Sequence, residues 1–210
     1  MKKLRTLVIG CHEHLREQYD LLFVKASAQS CGDEVVWQEY TTLNQTIDLD
    51  EIKSYDRILL VFQLTHYMTP SLVNHWCEQA FSNTENWRKK EIGAIVLVNE
   101  AAEHFRAGAA VGASVDQLLL PLQTWATRYS HYLTPLVIYQ WMSQTEKEKQ
   151  RWLIRLQQYM MLSHFDNQEE QAHWYCQRLQ YLLGKQDCLA VNLCHLIEEN
   201  EFQLMTMDWI

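Results

Sequence analysis

Five short apolar runs punctuate the chain, and between them apolar residues recur at helical spacing. Leu4 to Gly10 (LRTLVIG), Glu34 to Trp37 (EVVW), Arg57 to Phe62 (RILLVF), Ile92 to Val98 (IGAIVLV) and Leu133 to Tyr139 (LTPLVIY) read as strands. Arg57 to Phe62 is almost continuously apolar, the pattern of a strand covered on both faces of a parallel sheet. The chain then enters a polar loop, Gln63 to Thr69. Thr69 is placed to cap a helix whose first turn tolerates Pro70, and Leu72, His75, Trp76 and Gln79 continue it to Phe81.

The other connections read the same way. His14 to Cys31 carries Leu15, Tyr19, Leu22, Phe23 and Ala26 on one face, with Gly32 expected at the C′ position. Asp48 or Asp50 caps a short helical piece ending at Ser54. Ser82 to Lys90 is polar and basic and is expected to be solvated. Asn99 to Ala113 is a long irregular stretch of the kind that often carries function. Ser114 opens a helix to Ser130 that Pro121 should break near Leu120, and Thr145 caps a charged helix from Glu146 to about Ser163. Strand and helix alternate five times, which predicts an α/β fold with a parallel sheet.

The residues from 164 to 210 fall outside that alternation. Asp166 and Glu169 have capping-box spacing, Gln168 to Leu183 reads as a helix stopped by Gly184, and Asp187 opens a last helix, Cys188 to Glu199. The expectation is one domain over 1–163 and a helical extension over 164–210, packed on the domain or at an oligomer interface.

Composition narrows the class of function. The chain has 210 residues, 48% hydrophobic and 21% charged, with six Gly and three Pro, so long disordered linkers are not expected. A net charge of −8 lacks the basic excess that nucleic-acid binding normally shows. The apolar run Leu7 to Gly10 is too short for a signal peptide or a membrane span. Six cysteines with no CxxC pair read as reduced thiols, and the expected location is the cytoplasm. Cys11-His12-Glu13-His14 is not expected to bind zinc, because adjacent side chains point in different directions and no second ligand pair follows at usual spacing. Cys77 with His75 lacks a surrounding motif for nucleophilic catalysis, and buried structural thiols are the simpler reading.

Four stretches carry a resemblance. They are Val8-Ile9-Gly10-Cys11-His12-Glu13, then Gln63-Leu64-Thr65-His66-Tyr67-Met68 followed by Pro70, Leu72 and Trp76. Phe105-Arg106 with Gly108, Gly112 and Leu118-Leu119-Leu120-Pro121 is the third, and Tyr132, Pro135 and Tyr139 the fourth. In this order, from Leu4 to Met142, the chain resembles the flavodoxin-like NAD(P)H:quinone oxidoreductases. Its nearest likeness is to the branch containing the modulator of drug activity and the ancillary subunits of glutathione-gated potassium efflux systems.

The resemblance implies a flavodoxin-like five-stranded sheet in the order 2-1-3-4-5, with FMN or FAD at the strand ends and NAD(P)H as co-substrate. It implies a quinone-like substrate and a homodimer, with 164–210 available to a protein partner. His12 and Gln18 would lie near the flavin phosphate. Leu64, Thr65, His66, Tyr67, Asn99, Glu100 and Phe105 would flank the ring, with His66 and Tyr67 as the catalytic candidates. Where the family places Ser near the first helix start, Gln18 stands; its Pro is Glu13, and its Thr-Thr-Gly turn is Leu97-Val98-Asn99-Glu100. Those departures motivate a second expectation, a non-enzymatic regulatory or partner subunit that has lost flavin binding.

Overall fold

The computed structural model describes residues 4–13, 18–82 and 87–183, with backbone alone for the last five. Two compact units divide after Met161. In the first, β1 (Thr6–Cys11), β2 (Val35–Tyr40), β3 (Arg57–Gln63), β4 (Glu91–Val98), β5 (His131–Tyr132) and β6 (Leu136–Tyr139) form one sheet. All its ladders are parallel, in the order β2-β1-β3-β4-β5, with β6 also on β4. The expected flavodoxin-like α/β fold is therefore present, with six strands because the last one comes in two pieces, β5 and β6. No helix among the described residues is long and apolar enough to cross a membrane.

The helices that join the strands are α1 (Tyr19–Gln29), α2 (Leu49–Lys53), α3 (Ser71–Phe81), α4 (Val115–Leu118), α5 (Leu120–Tyr129) and α6 (Glu146–Met161). Alternation along the strands sends Ile58, Leu60, Phe62, Ala94 and Val96 into one core with Leu72, Val73, Trp76 and Cys77 of α3 and Leu122 and Ala126 of α5. Val8, Leu59, Val61, Ile95 and Leu97, also buried, point to the opposite face, where α1 and α6 pack on each other. Residues 14–17 of the expected first helix and all of the expected last helix lie outside the described residues.

Several caps follow the sequence closely. Asp48 accepts from the N–H groups of Asp50 and Glu51, and Ser114 and Gln117 form a capping box. Thr145 and Glu148 cap α6 reciprocally. The break at Leu119 separates α4 from α5 at the turn before Pro121.

Five expectations need correction. Thr69 does not cap α3: Pro70 occupies the N-cap, and the Thr69 hydroxyl is turned to Leu118 O at 3.5 Å. Gly32 has φ +78° but follows the C-cap Ser30 by two positions, so it falls one later than C′. The last expected strand is split at 133–135, because Pro135 has no N–H to donate and Leu133 N already bonds Ile92 O. Tyr159 fills the interruption: its hydroxyl donates to Thr134 O at 2.9 Å. It passes Gly93, where a Cβ would stand 2.4 Å from the phenolic oxygen.

The Ser82–Lys90 stretch is not solvated throughout. Trp87 is buried against Trp76 and Phe81. Lys90 is buried too, its ammonium donating to the carbonyls of Ile52, Lys53 and Tyr55, the last turn and exit of α2. In the second unit α7 (Gln168–Leu183) is capped by Asn167, not Asp166: the Asn167 side chain accepts from the N–H groups of Glu169 and Glu170.

Candidate functional site

β1 leads to β2 on one side and β3 lies on the other, so the strand order reverses between β1 and β3. Crevices at such a switch point, beyond the carboxyl ends of the strands, are where open α/β sheets bind ligands. A cleft of about 510 Å³ lies there, within the range usual for small-molecule sites. Cys11, His12, Glu13 and Gln18 line it from the first crossover. Gln63, Thr65 and His66, with Pro70 to Leu72, line it from the third.

The loop after β3 is a tight reversal. Met68 N donates to Thr65 O at 3.0 Å, and both central residues have positive φ, His66 at +51° and Tyr67 at +58°. Two positive φ values in a four-residue reversal make the mirror-image turn that usually takes Asn-Gly. Here a histidine and a tyrosine hold it, at a cost of about 1–2 kcal/mol each. Tyr67 is 44% exposed, its ring edge-on to Phe105 at 6.3 Å, and Phe105 in turn meets Tyr139 at 5.8 Å.

The cleft thus gathers His12, Gln18, Thr65 and His66. Leu64, Tyr67, Asn99, Glu100 and Phe105 do not line it. Leu64 extends the β3–β4 ladder through Leu97 O and is buried. Phe105 belongs to the core, and Tyr67 packs outward against it. Asn99 and Glu100 leave the tip of β4, one strand farther from the switch point. Ser71 is a lining residue that sequence reasoning passed over; its position at the first turn of the helix after the third strand was the available signal.

Two helix starts open at this cleft. Pro70 before α3 makes no side-chain cap, and α3 has no acidic residue in its first turn; Gln18 before α1 makes none either, but Asp20 stands in that helix's first turn and accepts from Leu21 N at 2.8 Å. Unsatisfied N–H groups and the helix dipole favour an anion at the α3 start, while Asp20 already occupies that role at α1.

Behind the cleft wall stands a charged group with no sequence signature. His12 is 5% exposed, and its Nε2 lies 3.9 Å from Glu39 Oε2. Glu39 Oε1 accepts from Lys25 Nζ at 2.5 Å and from Trp37 Nε1 at 3.4 Å. The Lys25 hydrogen bond, chiefly, holds the Glu39 carboxyl below the usual carboxylate range. Trp37 reaches this place across Gly10, where a Cβ would stand 2.4 Å from its ring. Below, the Tyr40 hydroxyl lies 2.6 Å from His75 Nδ1 and accepts from Gln79 Nε2 at 3.1 Å.

The thiols nearby are chemically quiet. Burial pushes Cys77 up to about 12 and Cys11 higher still, which keeps both thiols protonated at pH 8. Native protein treated with iodoacetamide at pH 8 is expected to keep both unmodified by peptide mass mapping, with labelling only after unfolding. Among the described residues, no group of three or more His, Cys, Asp and Glu side chains is placed to hold a metal ion.

Comparison with known proteins agrees with this architecture. Residues 13–160 match the model of a family described as having the flavodoxin-like fold. General stress protein 14 of Bacillus subtilis (strain 168) is 28% identical over 154 residues, 65% of this chain and 85% of that protein. An NADPH-quinone reductase from P. pentosaceus superposes with a TM-score of 0.68 at 25% identity, covering 77% of this chain and 100% of that one. The general stress protein 14 of Treponema denticola, solved in complex with FMN, gives 0.63 at 20% identity over 77% and 98%. With more than half of its length matched, the chain belongs to the flavodoxin-like fold family.

Proposed function

We propose that the protein is a flavin-dependent NAD(P)H:quinone oxidoreductase. The observation that carries this reading is the cleft between β1 and β3, bounded by the uncapped start of α3 and lined by Thr65 and His66 of the turn after β3. The match to the P. pentosaceus quinone reductase supports it, as does the FMN-bound Treponema relative.

The residues present fit a flavin at its phosphate end. The N–H groups at the start of α3 and the Ser71 hydroxyl form a donor set suited to an anion, with the His12 ring in the wall beside them. Glu13, exposed on the rim, opposes it in part. Gln18 at the start of α1 supplies a neutral amide. On the ring side, His66 and the backbone of Thr65 would bound the reacting face. Tyr67 would be its outer neighbour, and Leu64, Asn99, Glu100 and Phe105 would act only through the loops they anchor. The chemistry that a bound flavin supplies is two-electron transfer between a nicotinamide and a quinone. The chain's own share is to hold the anionic tail, exclude water and leave one face open to alternating substrates.

Purified protein is expected to bind FMN near one per chain and to oxidise NADH or NADPH with a quinone acceptor. Colourless protein that takes up no FMN or FAD at high micromolar concentration overturns the proposal in favour of a subunit without flavin. The variant Ser71→Asp separates binding from folding. A carboxylate in the first turn of α3 stabilises the helix by about 0.3–1 kcal/mol, so Tm should hold or rise. The same charge faces the cleft, and FMN affinity should fall about tenfold or more through like-charge repulsion.

A further inference from the structure

We propose that two copies of this chain pair through the outer edge of β2, antiparallel about a two-fold axis at Trp37, and so join their sheets into one. No flavin takes part, and the contact stands apart from the proposed oxidoreductase activity.

β2 is a border strand, laddered to β1 on one side only among the described residues. Thr6 N donates to Glu34 O and His12 N to Tyr40 O, which fixes the parity of that ladder. The backbone groups of Val36, Gln38 and Tyr40 therefore turn to β1, and those of Val35, Trp37 and Glu39 turn outward. Two of the outward groups are engaged from within the chain. Val35 N donates to Gly32 O at 3.2 Å. At the other end the Gln45 side-chain amide takes the place of a neighbouring strand. Its Nε2 donates to Glu39 O at 2.8 Å, and its Oε1 accepts from Thr41 N at 3.0 Å. Among the described residues nothing bonds the other four outward groups, Val35 O, Trp37 N, Trp37 O and Glu39 N.

That set is its own complement. In an antiparallel ladder, the two residues of a hydrogen-bonded pair exchange both N–H···O bonds. With the two copies of Trp37 facing each other, each Trp37 N meets the other copy's Trp37 O. Each Glu39 N then meets the other copy's Val35 O, and every open group is satisfied. Val35 N and Glu39 O, which would also have paired with each other, are the two that Gly32 and Gln45 already hold. An axis at Val36 or at Gln38 would leave half of the open groups unused. A strand of another protein can meet the same groups, but the two-fold fit about a single residue favours a second copy.

The side chains agree with this register. The Trp37 indole lies back over Gly10, where a Cβ would stand 2.4 Å from it, so two facing tryptophans are drawn away from the axis. Glu39, held by Lys25, would face the other copy's Val35, and Val36 would face Gln38. No like charges stand opposite each other, an arrangement that would weaken the pairing. A two-fold contact uses the same edge on both copies and closes as a pair.

Hydrogen exchange of the purified full chain, from low micromolar to high micromolar concentration, tests this amide by amide. The Trp37 and Glu39 amides should slow at least about tenfold as the protein is concentrated. Those of Val36 and Gln38, bonded to β1, should exchange slowly throughout. Sedimentation velocity on the same samples gives the mass, and protection should rise with the dimer. Fast exchange of Trp37 and Glu39 at every concentration overturns the proposal. So does protection of these amides in protein that sediments as a monomer, as cover from within the chain would give.

Two pairs of variants locate the axis. Trp37→Pro removes the central donor, and because that N–H points away from β1, proline is compatible with the border strand. It should abolish the concentration-dependent protection of Glu39, whereas Trp37→Phe, which keeps the N–H, should retain it. Loss in both, or in neither, overturns the proposal. Under mild oxidation Trp37→Cys should give a covalent dimer above the wild-type level on a non-reducing gel. Its facing Cα atoms would lie about 5.5 Å apart, within disulfide reach. Gln38→Cys, which would face Val36, should not. Equal yields from these two variants, high or low, overturn the proposal even where the proline variant fails to fold.

Discussion

Replacing Arg57 with Met should lower the unfolding free energy by about 3–5 kcal/mol, the usual result of removing one partner from a buried ion pair. Arg57 is 1% exposed and lies at the first position of β3, in register with Thr6 of β1 and Glu91 of β4. Its Nε and Nη2 both donate to Glu91 Oε2, at 2.8 and 2.7 Å. Its Nη1 donates to Tyr159 O, and the Thr6 hydroxyl donates to Met160 O at 2.6 Å. Those two carbonyls belong to the last turn of α6, where no intrahelical partner exists. One row of residues across the amino edge of the sheet therefore closes the end of a helix that begins 89 positions after Arg57.

Methionine fills much of the volume but leaves Glu91 facing a thioether and the α6 carbonyl without its cationic donor. The double change Arg57→Met with Glu91→Met should recover a large part of the loss, since replacing both charges by apolar groups is often close to neutral. Urea midpoints of the four proteins in the cycle measure this directly. A single-variant loss below about 1 kcal/mol would place Arg57 among ordinary surface pairs.

The second large effect has the opposite sign for stability. Converting His66-Tyr67 to Asn-Gly gives the turn the residues its backbone favours, and relief of two left-handed side chains is worth about 2–4 kcal/mol. Loss of the Tyr67–Phe105 edge contact offsets about 0.5–1.5 kcal/mol, and the added freedom of glycine in the unfolded chain about 0.5–1 kcal/mol. A net gain of about 1 kcal/mol should appear as a Tm several degrees higher. FMN affinity or quinone turnover should fall at least about tenfold, because strained positions of this kind persist where their side chains serve a site. A lower Tm would show that the turn carries little strain. A higher Tm with binding and turnover intact would show that neither side chain serves the ligand.

Much of the fold was legible because it is local. Arg57 to Phe62 and Ile92 to Val98 announce strands covered on both faces, and each forms within one residue of its expected bounds. Ser114, Gln117 and Pro121 mark a helix start and a break through chemistry contained in eight residues. What escaped depends on distant partners. Lys90 looks solvated beside Arg88 and Lys89, yet the carbonyls that bury it come from 35 to 38 residues earlier. The Glu39 carboxylate joins Lys25 and His12 only once β2 lies beside β1. At the cleft, the four candidates His12, Gln18, Thr65 and His66 converge because they follow the two strands at the reversal of order. Asn99 and Phe105 follow the next strand out and do not. A resemblance can propose which residues approach a ligand, but the interval between strand tips decides which of them reach the same hollow.

The interrupted outer strand has a consequence for behaviour in concentrated solution. A long, even outer strand offers an unfinished row of backbone donors and acceptors onto which a neighbouring molecule can add. Here His131–Tyr132 and Leu136–Tyr139 present only two brief pieces, separated by a proline and held apart by the Tyr159 hydroxyl at Thr134. Along that border the ladder offers too short a run for strand addition, so the tyrosine that completes the packing of α6 also sets how little of that edge a second molecule could extend.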